Sequence, residues 1–532
     1  MSERLHRLYA VVRADFFIRL RRPSTAVVFV LLSILPYLWI PAPSTGRALI
    51  VIEDQRALYT SATIGMATAL LATIFIGLAG FYVISNALRR DVLTRCGYVV
   101  ASTTMRGSEY IVGKFAGNVV FLTVFTLGFM ATAMAMVLVR GEGPLQPFVF
   151  AGQYLLLLPP VISFVSAIAI LFECTPVLRS KFGDVLYFFV WVSVVGGATA
   201  AMEQGLGQNW ANYFDLSGMG LLLAQMKGYY HTTSLSIGAT NFDAAKGTLD
   251  FQGLRFGVEW VFPRIVATLL PLSFLAVARV FFHRFDPARV RAVPDEKSRR
   301  SWLGRLNLMS KPIARLFVRA GNALVSVTSG ASFVRSAATD AIATIAAFPF
   351  TSIAMIGFAI AAIAQSNPKT LLGGVMPIAF AGCAIVIADI ASREKRAATS
   401  ALVFATPGLR TKFVWWKFAS SLLVALAFLG VPLLRAITMQ PSSVIALLTG
   451  IVFLTAASTA LGIISSNPKT FIVGFLTFWY IAIQDKGHTP SLDFAGWFSV
   501  ATPVVLAGYA AAGLALLIVA EVVHRAELRR RW

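Results

Sequence analysis

The sequence predicts an all-α polytopic membrane protein of about 12 transmembrane helices, arranged as two pseudo-repeated six-helix halves. Three observations predict it. The 532 residues are 57% hydrophobic and only 13% charged, which excludes a water-soluble chain of this length. The apolar residues are gathered into runs of roughly 15 to 26, enough for helices to cross a hydrocarbon core about 30 Å thick. Two basic loops of similar length recur at matching places between those runs. A membrane barrel would instead show alternating segments of about ten residues.

The apolar runs fall near 26–40, 63–88, 115–139, 148–172, 182–202 and 262–282 in the first half, and near 350–364, 370–391, 418–434, 444–465, 471–483 and 501–523 in the second. The first and eleventh are short for a full crossing. The halves are residues 1–285 and 333–532, joined by a basic linker at 286–332 that Pro287, Pro294 and Pro312 interrupt. Inside the linker, Ile313, Leu316, Phe317, Ala320 and Leu324 recur at helical spacing, as on a helix lying along a membrane surface.

Ahead of the first run, Leu5, Leu8, Tyr9, Val12, Phe16 and Leu20 share one helical face and Arg4, Arg7, Arg13 and Arg21 lie outside it. This is an amphipathic entry helix, ended by Pro23 as the corresponding segment is by Pro349. Arg19 falls on the apolar face, and its long stem is expected to reach the headgroups.

With both termini on one side, that face carries essentially all of the net charge of +22. The positive-inside rule makes it cytoplasmic, and the basic residues then read as topology signals meeting anionic lipid rather than as a nucleic-acid site. Cys96, Cys174 and Cys383 all avoid the external loops, so no external disulfide is expected. His6, His231, His283, His488 and His524 are scattered and form no metal-ligand pattern. The charged stretch from Ser2 to Arg22 does not resemble a cleavable signal.

The two cytoplasmic loops align without gaps at an offset of 303: Arg90-Asp91 lies over Arg393-Glu394, Thr103 over Thr406, Lys114 over Lys417 and Phe115 over Phe418. Each loop is amphipathic. Val92, Cys96, Val99, Val100 and Thr103 make one helical face of the first, and Thr399, Leu402, Val403 and Thr406 one face of the second.

What drives such a molecule is read by elimination. Ionisable residues near the bilayer midplane, which a gradient-driven carrier uses, are nearly lacking: Glu173, Asp184, Asp389 and Glu521 fall at cytoplasmic helix ends, Glu203 and Arg435 at external ones. The segment from Gly107 to Lys114 has five residues between its glycines and Phe115 where a phosphate loop has Ser or Thr, so the chain holds no nucleotide site. No catalysis by the chain itself is expected.

An amphipathic entry helix, a pair of spans, and a loop running Arg393-Glu394, Thr399, Thr406-Pro407 and Lys417 into four further spans resemble the type-2 permeases of ABC transporters, the exporter class. The first half matches through Arg90, Asp91, Thr103, Gly113 and Lys114. Thr104 stands where the family has proline, and Trp416 where it has glycine. The resemblance implies two fused transmembrane halves in a bacterial inner membrane, with both termini cytoplasmic. It implies that the loops are coupling helices for two cytoplasmic ATPase subunits that hold ATP and Mg, the chain itself having no cofactor. The coupling set would be Arg90, Asp91, Val99, Thr103, Lys114, Arg393, Glu394, Leu402, Thr406, Pro407 and Lys417. It also implies a path lined by the second and fifth spans. Phe188, Phe189 and Trp191, with Phe475, Phe478 and Trp479, are the aromatic candidates there, and they suit an amphipathic or hydrophobic drug, peptide or lipid. A gradient-driven carrier and a membrane scaffold without transport activity are the alternatives.

The external segment 203–260 is expected to cap the exit, with short re-entrant helices at 216–226 and, in the second half, near 494–500. Ser-Asn-Pro-Lys-Thr, at 366–370 and 466–470, reads as a turn and helix start with Pro at the first helical position.

Overall fold

The computed structural model describes all residues except 1–2, 22, 43, 45, 176–177, 180, 204–209, 232–234, 284, 286–332, 348, 398, 406–407 and 532. The linker 286–332, with its expected surface helix, and the candidates Thr406 and Pro407 therefore lie outside the described residues. The chain forms two compact units, Met1–Arg291 and Ala292–Trp532, with the division inside the expected linker.

The first unit begins with α1 (Glu3–Leu20) and α2 (Pro23–Trp39). A second span follows as α3 (Ser61–Phe75), a π-helical turn at Ile76–Gly80, and α4 (Phe81–Ile84). The first basic loop is not one helix but two, α5 (Ala87–Leu93) and α6 (Cys96–Ser102), broken where Arg95 takes a positive φ of 61°. Then come α7 (Gly107–Arg140), α8 (Pro147–Cys174) and α9 (Lys181–Glu203). Next come α10 (Met219–Tyr230) and a membrane-length helix made of α11 (Val258–Leu269) continued by α12 (Ser273–Phe281).

The all-helical expectation needs one correction. A four-stranded sheet, β1 (Arg47–Ile52), β2 (Gln55–Ala57), β3 (Leu235–Asn241) and β4 (Thr248–Leu249), is ordered β3-β1-β2-β4 and joins the segment ahead of α3 to the one between α10 and α11. The antiparallel β1–β2 pairing and the Arg56–Glu142 double ion pair at 2.6 and 2.7 Å fasten it to the helix ends.

The second unit holds α13 (Phe333–Ala347), α14 (Pro349–Ala364), α15 (Pro368–Thr370), a π-helical turn at Leu371–Val375, and α16 (Met376–Ile387). Its loop carries α17 (Arg393–Arg396) and α18 (Ser400–Ala405), and α19 (Phe413–Met439), α20 (Val444–Ser465), α21 (Pro468–Asp485) and α22 (Pro503–Arg531) complete it. Both Ser-Asn-Pro-Lys-Thr strings start helices as expected: Asn367 and Asn467 each accept the N–H of the lysine two residues on, at 2.9 and 3.1 Å. Residues 494–500, expected as a short helix, form turns closed by the Asp493 carboxylate, which accepts the N–H groups of Phe498 and Val500.

Among the described residues, eight helices are long and apolar enough to cross a membrane, or nine if α13 and α14, bent by 88°, count as one span. The chain is thus a helical, multi-pass membrane protein. The expected spans at 182–202 and 471–483 fall in α9 and α21, whose described residues include the apolar stretches Leu186–Gly197 and Pro468–Ile483, and α2 has 17 residues. In each unit the entry helix and first span pack on the third span, the third on the fourth, and the fourth on the second and last.

Candidate functional site

The entry helices place one carboxylate each at the foot of the third span. Asp15 of α1 and Asp340 of α13 are both buried. Neither was among the sequence candidates. The signal was present, however, because each is the sole acid in the apolar stretch before the matching prolines, eight residues ahead of Pro23 and nine ahead of Pro349.

In the first unit, Lys114 Nζ lies 3.0 Å from Asp15 Oδ1 and 2.8 Å from Asp91 Oδ2. Arg90 bridges the same two acids, at 2.5 and 3.2 Å. In the second unit Lys417 Nζ lies 3.0 Å from Asp340 Oδ2 and 2.5 Å from Glu394 Oε1, and Arg393 pairs with Asp340 and lies 3.7 Å from Glu394. The quartet of Asp, Arg, acid and Lys is therefore built twice. Each copy ties three segments that are far apart in sequence: α1, the first basic loop and α7 in the first unit, and α13, the second basic loop and α19 in the second.

Burial decides what these groups do. Lys417 is 0% exposed, and Lys114, Asp91 and Glu394 are also buried. A charge taken out of water costs several kcal/mol unless it is paired, so each quartet holds its three segments together. None of its buried members is a surface contact. Burial by itself would raise the Asp15 carboxyl, but Arg19, Lys114 and Arg90 outweigh it and hold that group at about 2, below its usual 3.8.

Arg19 does not reach for headgroups. It is buried, pairs with Asp15 at 2.6 Å and donates to Asn118 Oδ1 at 2.6 Å. Its place one turn after Asp15 on the inner face makes that pairing closer than the membrane surface.

The exposed part of each loop is apolar and rimmed by cations. Val99 is 67% exposed and Leu402 75%. Arg89, Arg95 and Arg106 are exposed around the first and Arg396 and Lys412 around the second, whereas the acids Asp91 and Glu394 point inward to the quartets. Thr103 is exposed and its hydroxyl donates to Val100 O at 2.7 Å. Val92, Val100 and Val403, expected on the same faces, are partly buried and pack against the cores behind the loops.

The aromatic candidates fasten the fifth span to the second. Trp191 Nε1 donates to Ile74 O at 3.2 Å, and Trp479 Nε1 to Pro377 O at 2.7 Å. Ile74 and Pro377 stand at the same offset of 303 as the loops. Phe188, Trp191 and Phe475 are buried within their units, Phe478 and Trp479 are half-buried, and Phe189 is exposed. In the first unit the fit is close: a side chain at Gly77 would meet Trp191 at 2.0 Å, and Tyr187 donates to Gly77 O.

Asp215 accepts N–H groups of Gly218 and Leu221 at the start of α10, a helix that overlaps the segment expected at 216–226. Arg264 of α11 donates to Leu156 O and Leu157 O at 3.1 and 2.8 Å and to Asp215 O. Pro160 lacks the N–H that Leu156 O would otherwise accept, so the arginine satisfies a carbonyl freed by the proline pair of α8. Among the described residues no group of three or more His, Cys, Asp or Glu is placed to hold a metal.

No family model, no curated protein and no solved structure matches this chain.

Proposed function

We propose that the chain is the membrane permease of an ATP-driven exporter of the type-2 ABC class, with two six-span halves, both termini cytoplasmic, in a bacterial inner membrane. Two cytoplasmic ATPase subunits bind the loops, and the cargo is amphipathic or hydrophobic. The single observation that carries this reading is the duplicated buried quartet: work delivered at a loop is transmitted to the entry helix and third span because one lysine is bonded to both neighbours.

Val99 and Leu402 are the contact residues, with an acidic-rimmed apolar cleft on the partner as their complement. Arg90, Asp91, Lys114, Arg393, Glu394 and Lys417 are positioning residues behind them. On ATP-driven closure of the partner, the loops are pushed and the two halves exchange inward and outward access. The aromatic path keeps the second and fifth spans together during that exchange, each tryptophan holding a second-span carbonyl.

The test is reconstitution. The chain alone, in proteoliposomes with a pH or sodium gradient and no nucleotide, is expected to move no cargo, and export is expected to appear with the co-purified ATPase and ATP. Val99→Asp with Leu402→Asp is expected to abolish partner binding while leaving the thermal midpoint unchanged. Gradient-driven transport by the chain alone would overturn the reading.

A further inference from the structure

The first unit has a groove that the coupling scheme does not use. It lies between α7, α8 and the junction of α11 with α12, has a volume of about 780 Å³, and carries no Asp, Glu, Lys or Arg in its lining. Leu127, Met130, Leu155, Leu158 and Ile162 form much of it. Its volume falls in the range of roughly 300 to 1,000 Å³ typical of ligand sites.

Of the groove's hydroxyl groups, those of Thr126, Thr268 and Tyr154 are bonded within the protein, Ser163 Oγ is buried without a partner, and Thr123 is partly exposed. Thr126 donates to Leu122 O at 2.9 Å, Thr268 to Arg264 O at 2.7 Å, and the Tyr154 hydroxyl bonds Thr68 Oγ1 at 2.9 Å. All three walls belong to helices long and apolar enough to cross a membrane, so hydrocarbon is the medium these helices are matched to. From Phe148 to Ser163 the groove follows α8 for roughly 22 Å, well over half of a core about 30 Å thick. A long groove with no charged group, and with Thr123 as its one accessible hydroxyl not bonded within the protein, fits a hydrocarbon tail and offers a charged headgroup nothing to pair with.

From this we infer that the groove is an acyl-chain site, holding a tail of a bilayer phospholipid against the third, fourth and sixth spans of the first unit. The inference rests only on the chain's lying in a membrane and goes beyond the exporter reading. A tail gains nothing hydrophobic by leaving one hydrocarbon for another. The preference comes from contacts on three sides, which a fluid bilayer does not supply.

The experiment uses the full chain in liposomes containing phosphatidylcholine with a photoactivatable diazirine in the acyl chain, followed by peptide mapping of the adducts. Labelling per exposed area at Leu155 and Leu127 is expected to exceed that at Leu138, Leu434 and Ile445, which are comparably exposed but lie outside the groove, by about tenfold. A headgroup-labelled lipid is expected to show no such excess. Thr123→Trp and Leu155→Trp, which fill the groove, are expected to remove the excess at Leu127 without lowering the thermal midpoint. Even labelling across all five sites in the unaltered chain, or an excess that survives both tryptophans, would overturn the inference.

Discussion

The two quartets hold the same four roles but not the same number of charges. The first has three cations to two acids, because Arg19 joins Asp15 from within its own helix. The second has two of each, and Thr344, whose hydroxyl accepts from Arg393 at 3.2 Å, stands where Arg19 does in the first. The helix contact differs in the same way. Gly113 lets Val11 of α1 approach, since an added Cβ would lie 3.0 Å from it, whereas the residue at the same offset in the second unit is Trp416, whose ring covers the Lys417 ammonium at 3.9 Å. The four shared residues are thus what the joint requires. The surroundings show two ways of stabilising buried charge, an extra ion pair and an aromatic face.

Breaking the second joint is expected to have the largest effect. Lys417→Met leaves Asp340 and Glu394 buried with Arg393 alone between them, and should lower stability by about 3–5 kcal/mol, read as a fall in the unfolding midpoint in detergent. Lys114→Met should cost less, about 2–3 kcal/mol, because Arg19 remains 2.6 Å from Asp15. Equal losses would show that Arg19 contributes nothing to the first joint.

The aromatic fastenings sharpen the comparison. Gly77→Ala drives a methyl into the Trp191 ring, which its hydrogen bond to Ile74 O holds in place, and should cost about 1–3 kcal/mol by the same measurement. The position at the same offset in the second unit is Phe380, buried against Trp497 and Phe494, so that unit fills from its second span the space the first fills from its fifth.

The Asp15 carboxyl is held at about 2 in the fold against 3.8 unfolded. Its contribution, about 2 kcal/mol, is complete above the unfolded value and is lost as pH falls through the folded one. Unfolding midpoints between pH 5 and 2 should fall more steeply in the unaltered chain than in Asp15→Asn. The smallest effect is expected at the loop surfaces, where Val99→Ser and Leu402→Ser should change stability by no more than about 0.5 kcal/mol.

Hydropathy alone made the multi-pass helical character legible, because an apolar run longer than a core helix needs has no other use. The loops were legible because Arg90, Asp91 and Lys114 recur at one offset, but their purpose was not. The alignment was set at the loops and gave Asp15 and Asp340 no place, and the partner of Lys114 lies 99 residues away. The sheet was missed because β1 pairs with β3 across some 185 residues, and neither strand has the length or alternation to announce itself. Arg264 reads in sequence as an interfacial residue at a span's edge. In the structure it is buried where Leu156 O, freed by Pro160, and the carbonyls of Leu157 and Asp215 accept from it.

The most direct measurement of the central claim is export per ATP hydrolysed when both joints are neutralised in matched pairs, Asp15→Asn with Lys114→Met and Asp340→Asn with Lys417→Met, in proteoliposomes with the partner ATPase. The account predicts that the ATPase still binds and turns over while export collapses. Unchanged export per ATP in a correctly folded variant would contradict it.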